Sequence, residues 1–249
     1  MELKNEKIPN KKGILSFVNA LKRTFYPFLF ARNIDSSEEL KKAKYFYERY
    51  ISKDKKEEFF ANVDTLKDLF DKDIKAIFDG DPAADSYSEI ISAYPGFTAI
   101  FYHRIAHIIY KQNFKIIARI ISEEAHFLTG IDIHPGAKIG EFFMIDHGTG
   151  IVIGETTIIG NNVRIYQGVT LGALSLSRGH QLKNTKRHPT IGNNVIIYSG
   201  ASILGGESII GDNSVIGSNV FITESIPENT LVTINKPDLI CIKKDKKGN

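Results

Sequence analysis

The 249-residue sequence predicts an α+β protein: an N-terminal α-helical domain, then a parallel β-helix carrying one extruded loop. Three observations carry that expectation. Up to about residue 130, apolar residues recur every three or four positions, as they do on one face of a helix. From Ile133 onward, aliphatic residues recur every six. That spacing fits neither an α-helix nor a continuous strand, but it fits a short strand plus a turn. Asn and Gly recur in those turns, in "GNN" at 160 and 192 and "GDN" at 211, where a left-handed backbone costs little.

The helical half, residues 1–130, reads in order. "GILSFVNALKRTFYPFLFAR" is an amphipathic segment interrupted by Lys22, Arg23 and Pro27. It lacks the unbroken apolar run of a membrane span and the small-residue cleavage site of a signal peptide. "SSEELKKAKYFYERYISK" opens on a serine cap candidate and places Leu40, Ala43, Tyr45 and Phe46 at helical spacings. Phe59, Val63, Leu66, Phe70, Ile74 and Phe78 continue the pattern, and Gly80 is a natural stop. Pro95-Gly96 divides the next two helices, and Asn113 marks a further break.

The repeat half, residues 131–225, begins with Ile133, Ile139, Ile145 and Ile151. A second series, Ile153, Ile159, Ile165 and Leu171, is shifted by two. Ile191, Ile197 and Ile203 resume it; Leu204, Ile210, Ile216 and Ile222 are shifted by one, and the doublets at 203–204 and 209–210 leave that last phase open. Three units make one triangular turn of about 18 residues, and the stretch holds about four turns. Residues 172–190 lack the aliphatic series and are rich in Lys and Arg, which predicts a loop leaving a corner. Residues 226–249 read as a tail. A β-sandwich would require period-two strands instead.

Composition narrows the function classes. Thirty-two basic against 29 acidic residues give a net charge of +3, too weak to argue for nucleic acid or an anionic membrane. The single cysteine, Cys241, excludes an intrachain disulfide and argues against a cysteine metal site. In a charged tail with no neighbouring histidine it is a bystander rather than a nucleophile. The expected compartment is the cytoplasm.

Against the aliphatic background, Asp146-His147-Gly148 is foreign. A solenoid interior is packed, so these side chains belong on a turn surface. Asp132 precedes His147 by fifteen residues, which places the two on neighbouring turns. A carboxylate beside an imidazole fixes its tautomer and supports the imidazolium formed when it takes a proton. Arg187-His188 joins a fork-shaped cation to a second imidazole, a good carboxylate receptor; His180 lies in the same loop. His103 and His107, four apart on a helix, fit metal ligands or helix packing, and no third ligand is evident. His134 beside Pro135 fits a surface position on the first turn.

The strings "DPAADSY", "YHRIAH", "DIHPGAKIG", "DHGTGIVIGET", "YQGVTLGA" and "KRHPTIGNNV" together resemble a serine O-acetyltransferase, from about Asp81 to Val220. The resemblance implies a left-handed β-helix, homotrimers paired into hexamers through the helical domains, and active sites between adjacent subunits. It implies acetyl transfer from acetyl-CoA to the L-serine hydroxyl, the first step of cysteine synthesis, with no acyl-enzyme and no resident cofactor. It makes His147 the general base and Asp132 its partner. Asp81 and Asp146 would hold the serine ammonium, and Arg187 and His188 its carboxylate. Acetyl-CoA would lie near Gly172, Ala173, Ser199 and Ser218. Feedback inhibition by cysteine is a habit of the family. Loop 172–190 is longer than in its commonest form, and the terminal isoleucine by which many members dock into cysteine synthase is replaced by "KDKKGN", so that complex is not expected by the usual route. Alternatives to be separated from this reading are acetylation of a sugar or xenobiotic hydroxyl, a γ-class carbonic anhydrase using His147, His180 and His188, and a non-catalytic assembly protein.

Overall fold

A computed structural model describes residues 9–30, 34–175 and 185–235. Seven helices come first: α1 (Lys11–Phe25), α2 (Ser36–Tyr50), α3 (Lys56–Phe60), α4 (Val63–Gly80), α5 (Tyr87–Ala93), α6 (Pro95–Lys111) and α7 (Lys115–Thr129). Their ends follow from local chemistry. The cap of α2 is Asp35, whose carboxylate accepts from the Ser37 amide at 2.7 Å, rather than the serine expected from the pattern. Asn62 divides α3 from α4 inside what the sequence presents as one run. Gly80 does end α4, Pro95 opens α6, and Asn113 takes the left-handed φ of 72° that separates α6 from α7. Phe70 and Phe101 stack at 4.5 Å in the core that joins α4 to α6.

The repeat half is a parallel β-solenoid. Its strands are β1 (Asp132–Ile133), β2 (Lys138–Ile139), β3 (Met144–Asp146), β4 (Val152–Ile153), β5 (Ile158–Ile159), β6 (Arg164–Tyr166), β7 (Thr170–Gly172), β8 (Thr190–Ile191), β9 (Ile196–Ile197), β10 (Ser202–Leu204), β11 (Ile209–Ile210), β12 (Val215–Ile216), β13 (Phe221–Ile222) and β14 (Leu231–Val232). They form three faces, β1-β4-β7-β10-β13, β2-β5-β8-β11 and β3-β6-β9-β12-β14. The six-residue series points inward: Ile153, Leu171 and Ile203 stack on the first face, Ile159, Ile191 and Ile210 on the second, and Ile145, Ile165, Ile197 and Ile216 on the third, all buried. Between β10 and β11 the inward residues are Ile203 and Ile210, so one extra residue enters there, at Gly205 with φ +106°.

There are about five turns rather than four. The fifth uses β13, a single bridge from Ile210 to Ile226, and β14. It was hidden because the next inward aliphatic after Ile222 comes four residues later, at Ile226, and not six. Strand pairing therefore continues past residue 225, the expected end of the repeat half, into Ile226 and β14.

One corner is held by an amide ladder. Asn162, Asn194, Asn213 and Asn229 all have φ between +56° and +58°. Each side-chain amide donates to the next, at 3.1, 3.0 and 3.2 Å. Asn tolerates this backbone region better than other non-glycine residues, so the residue that makes the turn also ties the turns together.

Strands β1, β2 and β3 are the exposed edge of the stack, and helices α4 and α6 cover it. The buried pair Asp73 and Arg104 meets through Nε–Oδ2 at 2.5 Å and Nη2–Oδ1 at 2.8 Å. Arg104 also donates to the carbonyls of Ile139 (3.3 Å) and Gly140 (2.7 Å), and Asp73 accepts from the Phe143 amide at 3.0 Å. His107 Nδ1 donates to the Pro135 carbonyl at 2.8 Å. Together these side chains satisfy edge groups that a preceding turn would otherwise pair. Burial pushes the Asp73 carboxyl up, while the guanidinium and the Phe143 amide oppose it. Arg104→Leu strands a buried carboxylate and is expected to cost roughly 3–5 kcal/mol, read as a lower urea midpoint; adding Asp73→Leu should return part of that loss.

Candidate active site

The step between facing residues of the first and second turns is twenty: Asp132 faces Val152, Lys138 faces Ile158 and Met144 faces Arg164. Between the second and third turns, on the first face, it is eighteen, as Val152 faces Thr170. The two extra residues emerge where β3 hands over to β4, and there His147 (φ +56°) and Gly148 (φ +92°) bend the chain outward. A Cβ on Gly148 would lie 2.5 Å from the Ile131 side chain, so the bend needs glycine. A non-glycine residue held at positive φ is a cost that surrounding structure must sustain. The result is an imidazole with 70% of its side chain exposed, between the half-buried Asp146 and the buried Gly148.

Three further groups converge on this corner. Asp146 ends β3, and its Oδ1 lies 3.6 Å from His147 Nδ1, an electrostatic contact too long for a hydrogen bond. Asp81, at the C-terminal end of α4, accepts from Tyr94 Oη at 2.7 Å and from the Ala83 amide at 2.8 Å. Those two donors, the Tyr94 hydroxyl first, hold its carboxyl below the usual range, and the nearby His147 adds to the effect. The hydrogen bond to Asp81 and burial push the Tyr94 hydroxyl up to about 12, with the charges of Glu89 and Asp146 contributing. Tyr94 was passed over in the sequence because it directly precedes Pro95-Gly96 and reads as part of a break.

The expected geometry of Asp132 is corrected. It opens the first turn and His147 follows the last strand of that same turn, fifteen residues being less than one turn; the two do not lie on neighbouring turns. No hydrogen bond or ion pair joins them; burial lowers the nearby His134 imidazole, with the charges of Glu155 and Asp132 opposing it.

Arg187 and His188 stand at a different corner, where β7 leads through the loop to β8. Thr156, on the turn below, organises them. Its hydroxyl accepts from the Arg187 and His188 amides at 3.0 and 3.1 Å. Its own amide donates to His188 Nδ1 at 3.1 Å. Nδ1 is thereby an acceptor, so the neutral ring carries its proton on Nε2. The ring packs over Gly154, where a Cβ would lie 2.0 Å away. Lys186 Nζ donates to the carbonyls of Thr156 (2.9 Å), Pro189 (3.1 Å) and His188. Arg187 pairs with Glu155, which also accepts from Tyr110 Oη at 2.7 Å. Burial alone would raise Glu155, but those two hydrogen bonds outweigh it and hold the acid at about 2. Glu155 and Thr156 sit in plain view in "VIGET", yet nothing in their spacing shows that they face Arg187.

Ser199 and Ser218 are hydrogen-bonded to each other at 3.2 Å. Backbone bonds from Gly168 to Thr149, Gly200 to Gln167 and Asn219 to Ser199 stack Thr149, Gln167, Ser199 and Ser218 in one column. That column begins beside His147. Glycines 150, 168 and 200, at φ of +81°, +72° and +70°, run along it and leave bare backbone. Gly172 and Ala173 lie apart from it, at the far end of β7 where the loop departs.

The remaining candidates are accounted for locally. His103 is buried among the helices and His107 is bound to Pro135. His134 Nδ1 accepts from the Gly136 amide at 3.0 Å, and its ring meets Tyr110 edge-on. His180 and Cys241 lie outside the described residues. Among the described residues no three His, Cys, Asp or Glu side chains are grouped to hold a metal, and no helix is long and apolar enough to cross a membrane.

Burial first, then the charges of Arg187 and Lys186, depresses the His188 imidazole to about 4. Its ring resonances are therefore expected to keep neutral-form shifts through the mildly acidic range and to move only near that value in an NMR titration. Because the folded value lies below the unfolded one, its contribution to stability is complete above about pH 6.5 and is lost as the pH falls below it.

Comparison with known proteins agrees with this architecture. Residues 37–101 match the family model described as "Serine acetyltransferase, N-terminal". A protein of Synechococcus elongatus named "Serine acetyltransferase, plasmid" is 50% identical over 178 residues, 70% of this chain and 56% of that protein. The chain spans little more than half the length of the curated relatives it matches, 60% for the serine acetyltransferase of Bacillus subtilis. Solved structures are matched more fully. Serine acetyltransferase isoform 3 of Entamoeba histolytica, in complex with cysteine, superposes with a TM-score of 0.82 at 38% identity, covering 92% of this chain and 84% of that one. A serine acetyltransferase in complex with CoA gives 0.65 at 31% identity, covering 86% and 81%. With 84% of a solved relative covered at 38% identity, this chain belongs to the serine acetyltransferase family.

Proposed function

We propose that the protein transfers the acetyl group of acetyl-CoA to the hydroxyl of L-serine. The observation that carries this reading is the convergence of two acids, Asp81 and Asp146, with the exposed imidazole of His147 on one extruded corner. The two carboxylates suit the substrate ammonium. Arg187 and the Nε2–H of His188 suit its carboxylate, and they stand at the next corner of the triangle, so they would meet the same serine from an adjacent subunit of a homotrimer. Pairing of two trimers through the helical domains would give a hexamer.

In this mechanism the exposed His147 imidazole accepts the serine proton, and Asp146 beside it is kept for the substrate ammonium. Serine Oγ attacks the thioester carbonyl as that proton leaves. The tetrahedral oxyanion collapses, the C–S bond breaks, and the imidazolium returns its proton to the CoA thiolate. Substrate brings its own nucleophile, so no acyl-enzyme and no resident cofactor are invoked. Asp132, at the start of the same turn, would support the imidazolium. The bare backbone along Gly168 and Gly200, flanked by Ser199 and Ser218, offers a track for acetyl-CoA, and Gly172 and Ala173, apart from it at the far end of β7, would contribute from the next corner. Cysteine presents the same ammonium and carboxylate as serine and would compete for the same groups, in line with the cysteine complex of the Entamoeba relative.

The test is CoA release measured with L-serine against other amino acids and sugars. Serine-dependent release is expected. Release with a sugar alone would transfer the reading to a different acceptor, and none with any acceptor would end it. His147→Ala is expected to lower turnover by roughly 10²–10⁴, the range of general acid–base catalysis.

A further inference from the structure

We propose that Tyr94 is a positioning residue of the acceptor site, its hydroxyl holding the Asp81 carboxylate in the orientation that receives the substrate ammonium. This rests on the acetyltransferase reading above, and it goes further by naming what keeps that carboxylate in place.

Tyr94 is fixed from both sides. Its amide donates to the Ile90 carbonyl at 3.2 Å, closing α5, and Pro95 follows as the first residue of α6. Two residues on, Gly96 presses against β3 so closely that a Cβ there would lie 2.2 Å from the Ile145 carbonyl oxygen. The residue after Ile145 on that strand is Asp146, and His147 follows. The backbone of Tyr94 is therefore docked against the strand that delivers the site's acid and base, while its hydroxyl reaches back to the acid on α4. It is the side chain that joins the two halves of the corner.

The hydrogen bonding at Asp81 shows what this does. Oδ1 takes the Ala83 amide and Oδ2 takes the Tyr94 hydroxyl, at 2.8 and 2.7 Å. One donor on each oxygen fixes the carboxylate plane and leaves a lone pair on each for a cationic ligand. A neutral donor suits that task. A lysine or arginine in its place would hold the acid as firmly but would neutralise it and repel the incoming ammonium. The groups facing this pair are Glu89 and Asp146 on the tyrosine side and His147 on the aspartate side. The tyrosine hydroxyl, pushed up to about 12, remains a donor throughout the neutral range.

The experiment is Tyr94→Phe, which removes the hydroxyl and keeps the half-buried ring, assayed by CoA release with the full-length protein. Loss of one hydrogen bond to a charged group is expected to raise the KM for L-serine roughly tenfold or more. Loss of ground-state binding alone should leave kcat and the KM for acetyl-CoA within about twofold. In an Asp81→Asn background the same substitution should add little. An unchanged serine KM, a joint loss in kcat and both KM values, or full additivity with Asp81→Asn would overturn the assignment. Absence of serine-dependent release from the wild-type protein would overturn the parent reading, whereas an active wild type with an indifferent Tyr94→Phe would overturn only the role of Tyr94.

Discussion

A β-solenoid begins with a difficulty: its first turn has an edge of backbone groups and no turn beneath to pair them. Here the answer is a buried ion pair. Arg104 supplies donors to the Ile139 and Gly140 carbonyls, and Asp73 accepts the Phe143 amide. The pair imitates part of a missing turn, and it does so from two different helices. Buried charges are tolerated only when paired and hydrogen-bonded. The contact therefore forces α4, α6 and the first turn into a single arrangement, where apolar packing alone would allow sliding.

The site inherits its geometry from that junction. Asp73 and Asp81 lie on and just beyond the same helix, about two turns apart. Docking Asp73 onto the first turn thus carries Asp81 to the corner where His147 emerges. The corner itself is made by insertion, since two residues more than the repeat requires must leave the stack, and the residue at the bend is the histidine. Scaffold and chemistry are separated accordingly. The aliphatic series builds a stiff prism, and the groups proposed to face substrate sit where the series is interrupted, at 147–148 and at the base of the loop.

Much of this was legible in the sequence, for a physical reason. A solenoid uses the same contact in every turn, so its period is written directly into the chain. The shift by two between Ile151 and Ile153 marks the very corner that carries His147. What could not be read depended on contacts between distant segments. The fifth turn was hidden by a four-residue step to Ile226. That Asp132 opens the first turn and His147 closes it is likewise invisible, because the period shows the spacing of the turns but not where α7 hands the chain to the first of them. Tyr94, Thr156 and Glu155 carry no signal of their own, because their importance lies in reaching Asp81, His188 and Arg187 across 13 to 32 residues.

The anchoring of Arg187 and His188 has an evolutionary consequence. Both are fastened to Thr156, a residue of the preceding turn, and Lys186 clasps the same backbone. That attachment ties their backbone to the turn below, independently of the residues' own place in the six-residue series. A substitution at Thr156 would therefore have been visible to selection at Arg187 and His188 as well, so that these three positions are expected to change together or not at all as the family diverges.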